Sequence, residues 1–418
     1  MERTYAKDVK PGKVKVAGWV ERIRDLGGLK FFILRDRSGK VQVTVKKGHV
    51  DESVERAVDD LHREDCIIVY GEAIKCKQAP GGIEIIPERI EILSKAEPIP
   101  IEIGRTGKGK RFDWRFLDLR RNEIQNIFRF RSEVIAAARE FFSKSGFIEV
   151  QTPVIQAAGA EGGAEMFPLI YYNKSAFLRQ SPQLYKQILM ASGFDRVFEI
   201  GPAFRAEAFH TRRHVSEFLS IDAELAWIES EEDVMRVAEQ LIRFVYKKTS
   251  KTLKELGIEF KVPKLPFKRI TYDEAIEMLK GSVKWGEDLG EDEERILGQR
   301  LAEQGIEWYF ITKFPSQIKP FYIMMDGKYS RGFDLGFKGL EIASGGQREH
   351  RYDQLVKIMR AKGLDPAKFE FYLQAFKYGM PPHGGFGLGA DRLVEKMLGL
   401  NDIKEVILFP RTPEMLVP

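Results

Sequence analysis

Apolar and polar residues alternate through five stretches of the first hundred residues: KVKVAGWVERI, LKFFILRDRSG, KVQVTVKK, CIIVYGEAIKC and GIEIIPERIEIL. Alternation turns one side of each stretch toward a core and the other toward water, so each reads as a β-strand, set off from the next by Gly, Asp, Ser or Pro. Between the third and fourth, near DESVERAVDDLHRE, the spacing becomes helical. Five strands with one helix after the third is the order of an OB-type barrel. The next segment, PIPIEIGRTGKGKRFDWR, mixes Pro, Gly and basic residues without a period, as a hinge does. The pattern therefore predicts an OB domain over residues 1–98 and a hinge over 99–125.

Helical spacing returns in NEIQNIFRFRSEVIAAAREFFSKSG and stops at Gly146. FIEVQTPVI reads as a strand interrupted by Pro153, which belongs at an edge or a bend. Strand-like runs such as DRVFEIGPAFRAE and FLSIDAELAWI then alternate with helices, which makes residues 126–418 an α+β domain. Residues 270–315 are helical and acidic and resemble an insertion more than core sheet.

Composition narrows the class of protein. A chain of 418 residues exceeds what one hydrophobic core serves, and 43% hydrophobic with 31% charged residues describes a folded chain rather than a disordered one. Lys and Arg number 67 against 62 Asp and Glu, so a polyanion must be met by a local basic surface, candidates being residues 75–77 and 107–111. Cys66 and Cys76, without a second CxxC or a His pair, exclude a disulfide framework and read as small apolar residues of neighbouring strands. The charged N-terminus lacks the apolar stretch of a signal peptide, and no run approaches eighteen apolar residues, so a cytoplasmic protein without a membrane span is expected.

Three stretches carry chemistry. In GPAFRAEAFHTRRHVSEFLSIDAE, the residues Arg205, Glu207, Arg213, His214, Glu217 and Asp222 crowd between two apolar runs. A solvated hairpin tip is the bland alternative, but Arg205 follows directly on an apolar pair, where a merely solvated charge is poorly placed. In MPPHGGFGLGADRLVEKMLG, glycines 384, 385, 387 and 389 strip side chains from a strand, permitting a flat ligand such as a nucleotide base to lie on backbone under Arg392. In GFDLGFKGLEIASGGQREH, Asp334, Glu341 and Ser344 offer hard oxygen ligands suited to Mg²⁺ that also touches phosphate.

Together these segments resemble the motifs of the class II aminoacyl-tRNA synthetases: FIEVQTPVI motif 1, FRAE…HVSEF motif 2 and GFGLGADRL motif 3. The match to the archaeal-type aspartyl-tRNA synthetases covers essentially the whole chain. That resemblance implies an antiparallel catalytic sheet flanked by helices, and a homodimer joined through Gly146 to Pro153. It implies Arg205 and Arg392 as catalytic cations, and Glu207, Arg213, His214, Glu217, Phe218, Glu341 and Gly389 beside ATP. Asp334, Glu341 and Ser344 match Mg²⁺ positions. Gln183, Lys186 and Arg348 match the clamp on the side-chain carboxylate of L-aspartate, Asp222 the acid balancing Lys186, and Ser181 and Glu161 residues at the amino group. The helix QSPQLYKQILM also reads as an ordinary amphipathic helix with Lys186 on its wet face, but that leaves Arg348 without a role.

For tRNA, the resemblance implies anticodon reading by Arg24, Phe31, Gln42 and Glu84. Glu21 and Pro80 fall where such enzymes divide between those charging tRNA-Asp alone and those also charging tRNA-Asn. Pro80 resembles the relaxed group and Glu21 neither, so both acceptors stay open. Trp114 departs from the smaller polar residue usual there. An asparaginyl-tRNA synthetase is the nearest rival, opposed by Lys186; a noncatalytic tRNA-binding paralogue is a second, opposed by the intact Arg205, Glu341 and Arg392.

Overall fold

A computed structural model of the chain describes residues 2–102, 105–157, 166–207 and 211–417. It divides into two compact units, residues 1–122 and 123–418. The first is a closed barrel of strands β1 (Gly12–Asp25), β2 (Leu29–Arg35), β3 (Lys40–Lys46), β4 (Cys66–Lys75) and β5 (Ile83–Ser94), joined in the order β1-β2-β3-β5-β4, with helix α1 (Glu52–Asp59) between β3 and β4. The alternation that predicted the strands also builds their core: Val14, Val16, Phe32, Val43, Ile67, Val69 and Ile85 point inward. Cys66 opens β4 and Cys76 follows its end, so the two sit at opposite ends of one strand rather than in neighbouring strands, and both are unbonded.

Residues 99–122 group with the barrel, although their composition reads as a hinge separate from it. Ion pairs hold them there. Arg120 reaches Glu64 at 2.9 Å, which also takes Arg35 at 2.7 Å, while buried Asp118 gathers Arg111, Arg115 and Arg121 at 2.9–3.1 Å. Pro and Gly content registers a lack of regular structure but is blind to such paired charges.

The second unit is an eight-stranded sheet. Its strands are β6 (Ile148–Glu149), β7 (Arg196–Phe204), β8 (Glu217–Ala226), β9 (Lys268–Thr271), β10 (Trp308–Thr312), β11 (Gly332–Phe337), β12 (Leu340–Gln347) and β13 (His383–Gly389), in the order β9-β10-β11-β12-β13-β8-β7-β6. The outermost pair at each end is parallel and the rest antiparallel. Helices α2 (Asn122–Lys144) and α4 (Glu231–Glu255) cover one face. α2 ends where Gly146 takes φ +77°, a left-handed turn that glycine makes without strain. Helix α3 (Gln183–Ala191) lies between these two in sequence.

Two expectations change here. The acidic stretch 270–315 is not an insertion throughout: β9 and β10 are strands of the main sheet, and all of Trp308–Thr312 is buried. WYFIT is an unbroken apolar run because both of its faces are covered, and such a run carries no alternation to mark it as a strand. Helices α5 (Tyr272–Leu279) and α6 (Glu291–Glu303) lie between them. FIEVQTPVI, read as one interrupted strand, is two: Ile148–Glu149 in the main sheet and Ile155–Gln156 in a separate three-stranded sheet. Pro153, which has no N–H to give a ladder, falls at the switch.

The covered face is aromatic at its centre, where Phe142 stacks on Phe198 at 4.7 Å and meets Phe147 edge-on at 5.1 Å. Phe142→Ala should therefore cost about 3–5 kcal/mol, read as a lower urea midpoint for the unit comprising residues 123–418.

Candidate active site

The strands that bury apolar residues on the helix-covered face present polar ones on the other. Along β8, Ile221, Ala223 and Leu225 enter the core while Ser220, Asp222 and Glu224 face away, as period-two geometry requires. Register then aligns one row across five strands: Asp334 on β11 faces Ser344 on β12, Ser344 faces Gly387 on β13, Gly387 faces Asp222 on β8, and Asp222 faces Glu199 on β7. The first four of these residues lie in the floor of a cavity of about 610 Å³ lined also by Ser181, Gln183, Arg205, Arg213, His214, Phe218, Glu341, Arg348, Gly389 and Arg392.

Of the residues expected to act together, the fold thus gathers most around one cavity. Glu207 and Glu217 are not in its lining, and Glu161 lies outside the described residues. Lys186 sits behind the wall at 2% exposure, which rules out the wet-face reading of its helix. Its ammonium donates to Asp222 at 3.0 Å and to the Phe386 carbonyl at 3.1 Å, with Glu224 at 3.4 Å. Arg348 grips Glu224 with Nε at 2.9 Å and Nη2 at 3.2 Å, and Nη2 also donates to Gln183 Oε1 at 3.2 Å. Four buried charges close into a neutral quartet. Burial alone would raise Glu224, but the Arg348 and Lys186 charges beside it hold its carboxyl below the usual range. Among the described residues Arg348 Nη1 donates to nothing, so its two N–H groups remain for a ligand.

Glycine at 385 is dictated by packing rather than by a ligand: a Cβ there would overlap the Ala223 carbonyl and the Glu224 carboxylate. Gly387 and Gly389 do line the cavity, so the glycine run divides between two purposes. Toward the other end, Arg205 lies 5.4 Å over the Phe218 ring and Arg392 donates to the Glu341 carbonyl at 3.0 Å. Arg213 is held by Glu291 at 3.1 Å, Glu294 at 3.2 Å and the Gly339 carbonyl at 3.2 Å. His214 accepts or donates at Nδ1 to Thr211 at 2.8 Å, and burial with Arg392 nearby lowers its pKa, favouring the neutral ring.

Three residues with evident roles escaped the sequence reading. Glu224 reads in sequence only as part of the strand-like run FLSIDAELAWI, and its period-two spacing from Asp222 is the one signal it carries. Lys319 donates to both oxygens of Asp334, at 2.7 and 2.6 Å, from a segment with no motif. Glu294, on the acidic α6, accepts from the Glu341 backbone N–H at 3.1 Å; burial and the Glu341 charge push it up to about 8.

On the barrel, Phe31 faces both Arg24 and Thr44, and Gln42 faces Glu84. Glu84 accepts from Gln42 at 3.2 Å and from Thr44 at 2.6 Å, so the four expected residues and Thr44 form one continuous patch. The core position falls to Phe32, and Phe31 stays half-buried. Glu21, paired with Lys40 at 2.7 Å, and Pro80 line one shallow pocket of about 200 Å³. Trp114 is partly exposed beside Phe116.

A cavity with arginines at one end and a buried charge quartet at the other, on an antiparallel sheet and accompanied by an OB barrel, defines a class of nucleotide-using, nucleic-acid-binding enzyme. Residues 107–413 match the class II tRNA synthetases (D, K and N) and residues 14–93 the OB-fold nucleic acid binding domain; the chain belongs to this synthetase family. It is 52% identical to the aspartate–tRNA(Asp) ligase of Pyrococcus abyssi over 97% of this chain and 96% of that one. It is 48% identical to the aspartate–tRNA(Asp/Asn) ligase of Methanopyrus kandleri over the full length of both. The crystal structure of asparaginyl-tRNA synthetase from Pyrococcus horikoshii complexed with asparaginyl-adenylate superposes with a TM-score of 0.93 at 37% identity, covering all of both chains. Among the described residues no helix is long and apolar enough to cross a membrane.

Beside the site, Glu395 on α7 (Ala390–Met397) is 2% exposed, its Oε2 has no partner among the described residues, and burial pushes it up to about 7. A carboxyl raised in the folded state stabilises fully below its unfolded value and loses that contribution as pH rises through about 7. Glu395→Gln should accordingly reduce the fall in urea stability between pH 5 and pH 8, measured on the ligand-free protein.

Proposed function

We propose that this chain is an aspartate–tRNA ligase: it activates L-aspartate with ATP to aspartyl-adenylate and transfers the aspartyl group to the 3′ end of tRNA-Asp. The observation that carries the reading is the Lys186–Asp222–Glu224–Arg348 quartet at one end of the cavity, with Arg348 keeping two N–H groups for a carboxylate. The N–H groups left on Arg348 Nη1 can only donate, which matches a carboxylate oxygen and opposes the NH₂ of an amide; charged hydrogen bonds of this kind contribute roughly 1.5–3 kcal/mol each. This favours aspartate over asparagine in a fold shared with an asparaginyl enzyme. Ser181 and Glu161 serve the amino group. Charging of tRNA-Asn as well is a second reading, favoured by Pro80 and by the dual naming of the Methanopyrus kandleri relative.

The aspartate α-carboxylate, ionised at neutral pH, attacks the α-phosphorus without a protein base. A bond forms from its oxygen to phosphorus as the bond to pyrophosphate breaks. Arg205 steadies the α-phosphate, Phe218 stacks on adenine, Arg392 covers its other side or reaches the γ-phosphate, and Glu207, Arg213, His214, Glu217 and Gly389 complete the ATP site. Positioning and positive charge supply the catalysis. Mg²⁺ suits Glu341 and Ser344, hard oxygen donors that line the cavity where it is also bounded by Glu294; Asp334, the third expected ligand, already has both oxygens on Lys319. When bound, the ion would neutralise phosphate charge. Exposed Ile148 and Ile155, flanking Pro153, support a homodimer through this segment.

ATP–pyrophosphate exchange tests the reading. Exchange should require aspartate and Mg²⁺, ignore asparagine, and be lost in Lys186→Leu while ATP still raises that variant's melting temperature; equal loss of both ligands would refute the clamp. Phe31→Ala should leave exchange intact but raise the KM for tRNA about 5- to 150-fold, as the loss of one base stack worth roughly 1–3 kcal/mol predicts. Charging of tRNA-Asp and tRNA-Asn transcripts decides the acceptor.

A further inference from the structure

Behind the cavity wall, a chain of hydrogen bonds runs to Arg348 through residues to which the reaction above gives no task. His383, fully buried at the start of β13, has Nδ1 2.8 Å from the Pro381 carbonyl oxygen and Nε2 3.0 Å from the side-chain nitrogen of Gln187. Gln187, also fully buried, has its Oε1 3.0 Å from Gln183 Nε2 and 3.2 Å from the Tyr372 hydroxyl. Gln183 Oε1 in turn accepts from Arg348 Nη2 at 3.2 Å.

The two ends of this chain have fixed polarity, since a carbonyl oxygen only accepts and a guanidinium only donates. Everything between is thereby determined. Pro381 requires the proton of His383 on Nδ1, so the neutral ring accepts at Nε2 from Gln187. The Gln187 carbonyl must then accept from Gln183, and the Gln183 carbonyl is left to accept from Arg348. Reversing any link sets a donor against a donor. A proton on His383 Nε2 would turn the Gln187 amide over, bring two NH₂ groups together or turn Gln183 as well, and end with an NH₂ against the Arg348 guanidinium. Burial agrees with the neutral ring, pushing His383 down to about 4; Glu224, Arg348 and His350 are the charged or titratable groups acting on it. The Tyr372 hydroxyl, which can donate as well as accept, is free to donate to Gln187 Oε1 in this orientation.

We infer that His383 and Gln187 are positioning residues for substrate selection: through a hydrogen-bond chain of single polarity they fix the Gln183 amide and with it the direction in which Arg348 presents its free N–H groups. That Arg348 receives aspartate rests on the proposed function; the polarity of the chain does not. Gln183, expected to bind the amino acid directly, spends its carbonyl on Arg348 and acts through it.

Two measurements test this. In protein labelled with ¹⁵N-histidine, the His383 ring, assigned among six histidines by comparison with His383→Asn, should be neutral with its proton on Nδ1 from pH 6.5 to 8. An Nε2–H ring or an imidazolium in that range overturns the inference, whatever the enzyme does. Gln187→Met keeps the volume but removes donor and acceptor, and should raise the KM for aspartate at least tenfold in pyrophosphate exchange with the KM for ATP within twofold. A lower melting temperature with both KM values unchanged, or both raised alike, would mark a structural role only and overturn it. Absence of aspartate-dependent exchange in the wild-type protein would instead defeat the proposed function, and the histidine spectrum would still decide the chain.

Discussion

Four charges buried in the floor of the catalytic sheet constrain the rest of this molecule. Lys186, Asp222, Glu224 and Arg348 are each almost inaccessible to water, and removing an ion from water costs several kcal/mol even after relaxation. Such burial is tolerable only where the charges balance and the hydrogen bonds are complete. Two cations and two carboxylates meet the first condition, and the Phe386 carbonyl and the Gln183 amide help meet the second. The quartet also constrains its neighbours: residue 385 has to be glycine because the Ala223 carbonyl and the Glu224 carboxylate together occupy the space of any side chain there.

The two faces of the sheet divide the work. One is closed by α2 and α4 over an aromatic core, and this rigid backing lets single residues on the other face hold positions across five strands. A row running Asp334, Ser344, Gly387, Asp222 depends only on strand register, and a one-residue slip would turn every member into the core. Within the cavity the polarity is graded. The quartet end is neutral and pre-ordered, while the end with Glu294, Glu341 and Asp334 carries crowded carboxylates relieved by Lys319, Arg213 and Arg392. A substrate with one carboxylate and a triphosphate with its cation are complementary to those two ends.

Much of this was legible beforehand because it is local. The barrel strands show in their alternation, the stop of α2 in Gly146, and the motif arginines in charges lodged between apolar runs. Lys319 was not legible: nothing within QIKPFY signals that its ammonium meets Asp334, fifteen residues on. Glu294 is one acid among many in an acidic helical stretch, and only the packing of α6 brings it to Glu341. β10 was hidden because a strand buried on both faces loses the alternation that marks a strand.

By itself, then, the sequence determined what short-range chemistry specifies: the period-two strands of the barrel, the helices, the turns, and which residue types stand ready for phosphate and carboxylate. The tertiary structure alone decided which of these charges meet. The periodicity of its helix alone puts Lys186 on a wet face, and only the packing of α3 against β8 and β13 turns it into the sheet beside Asp222. The physical reason is that the energy of an ion depends on burial and on partners distant in sequence, whereas helix and strand periodicity depends on near neighbours.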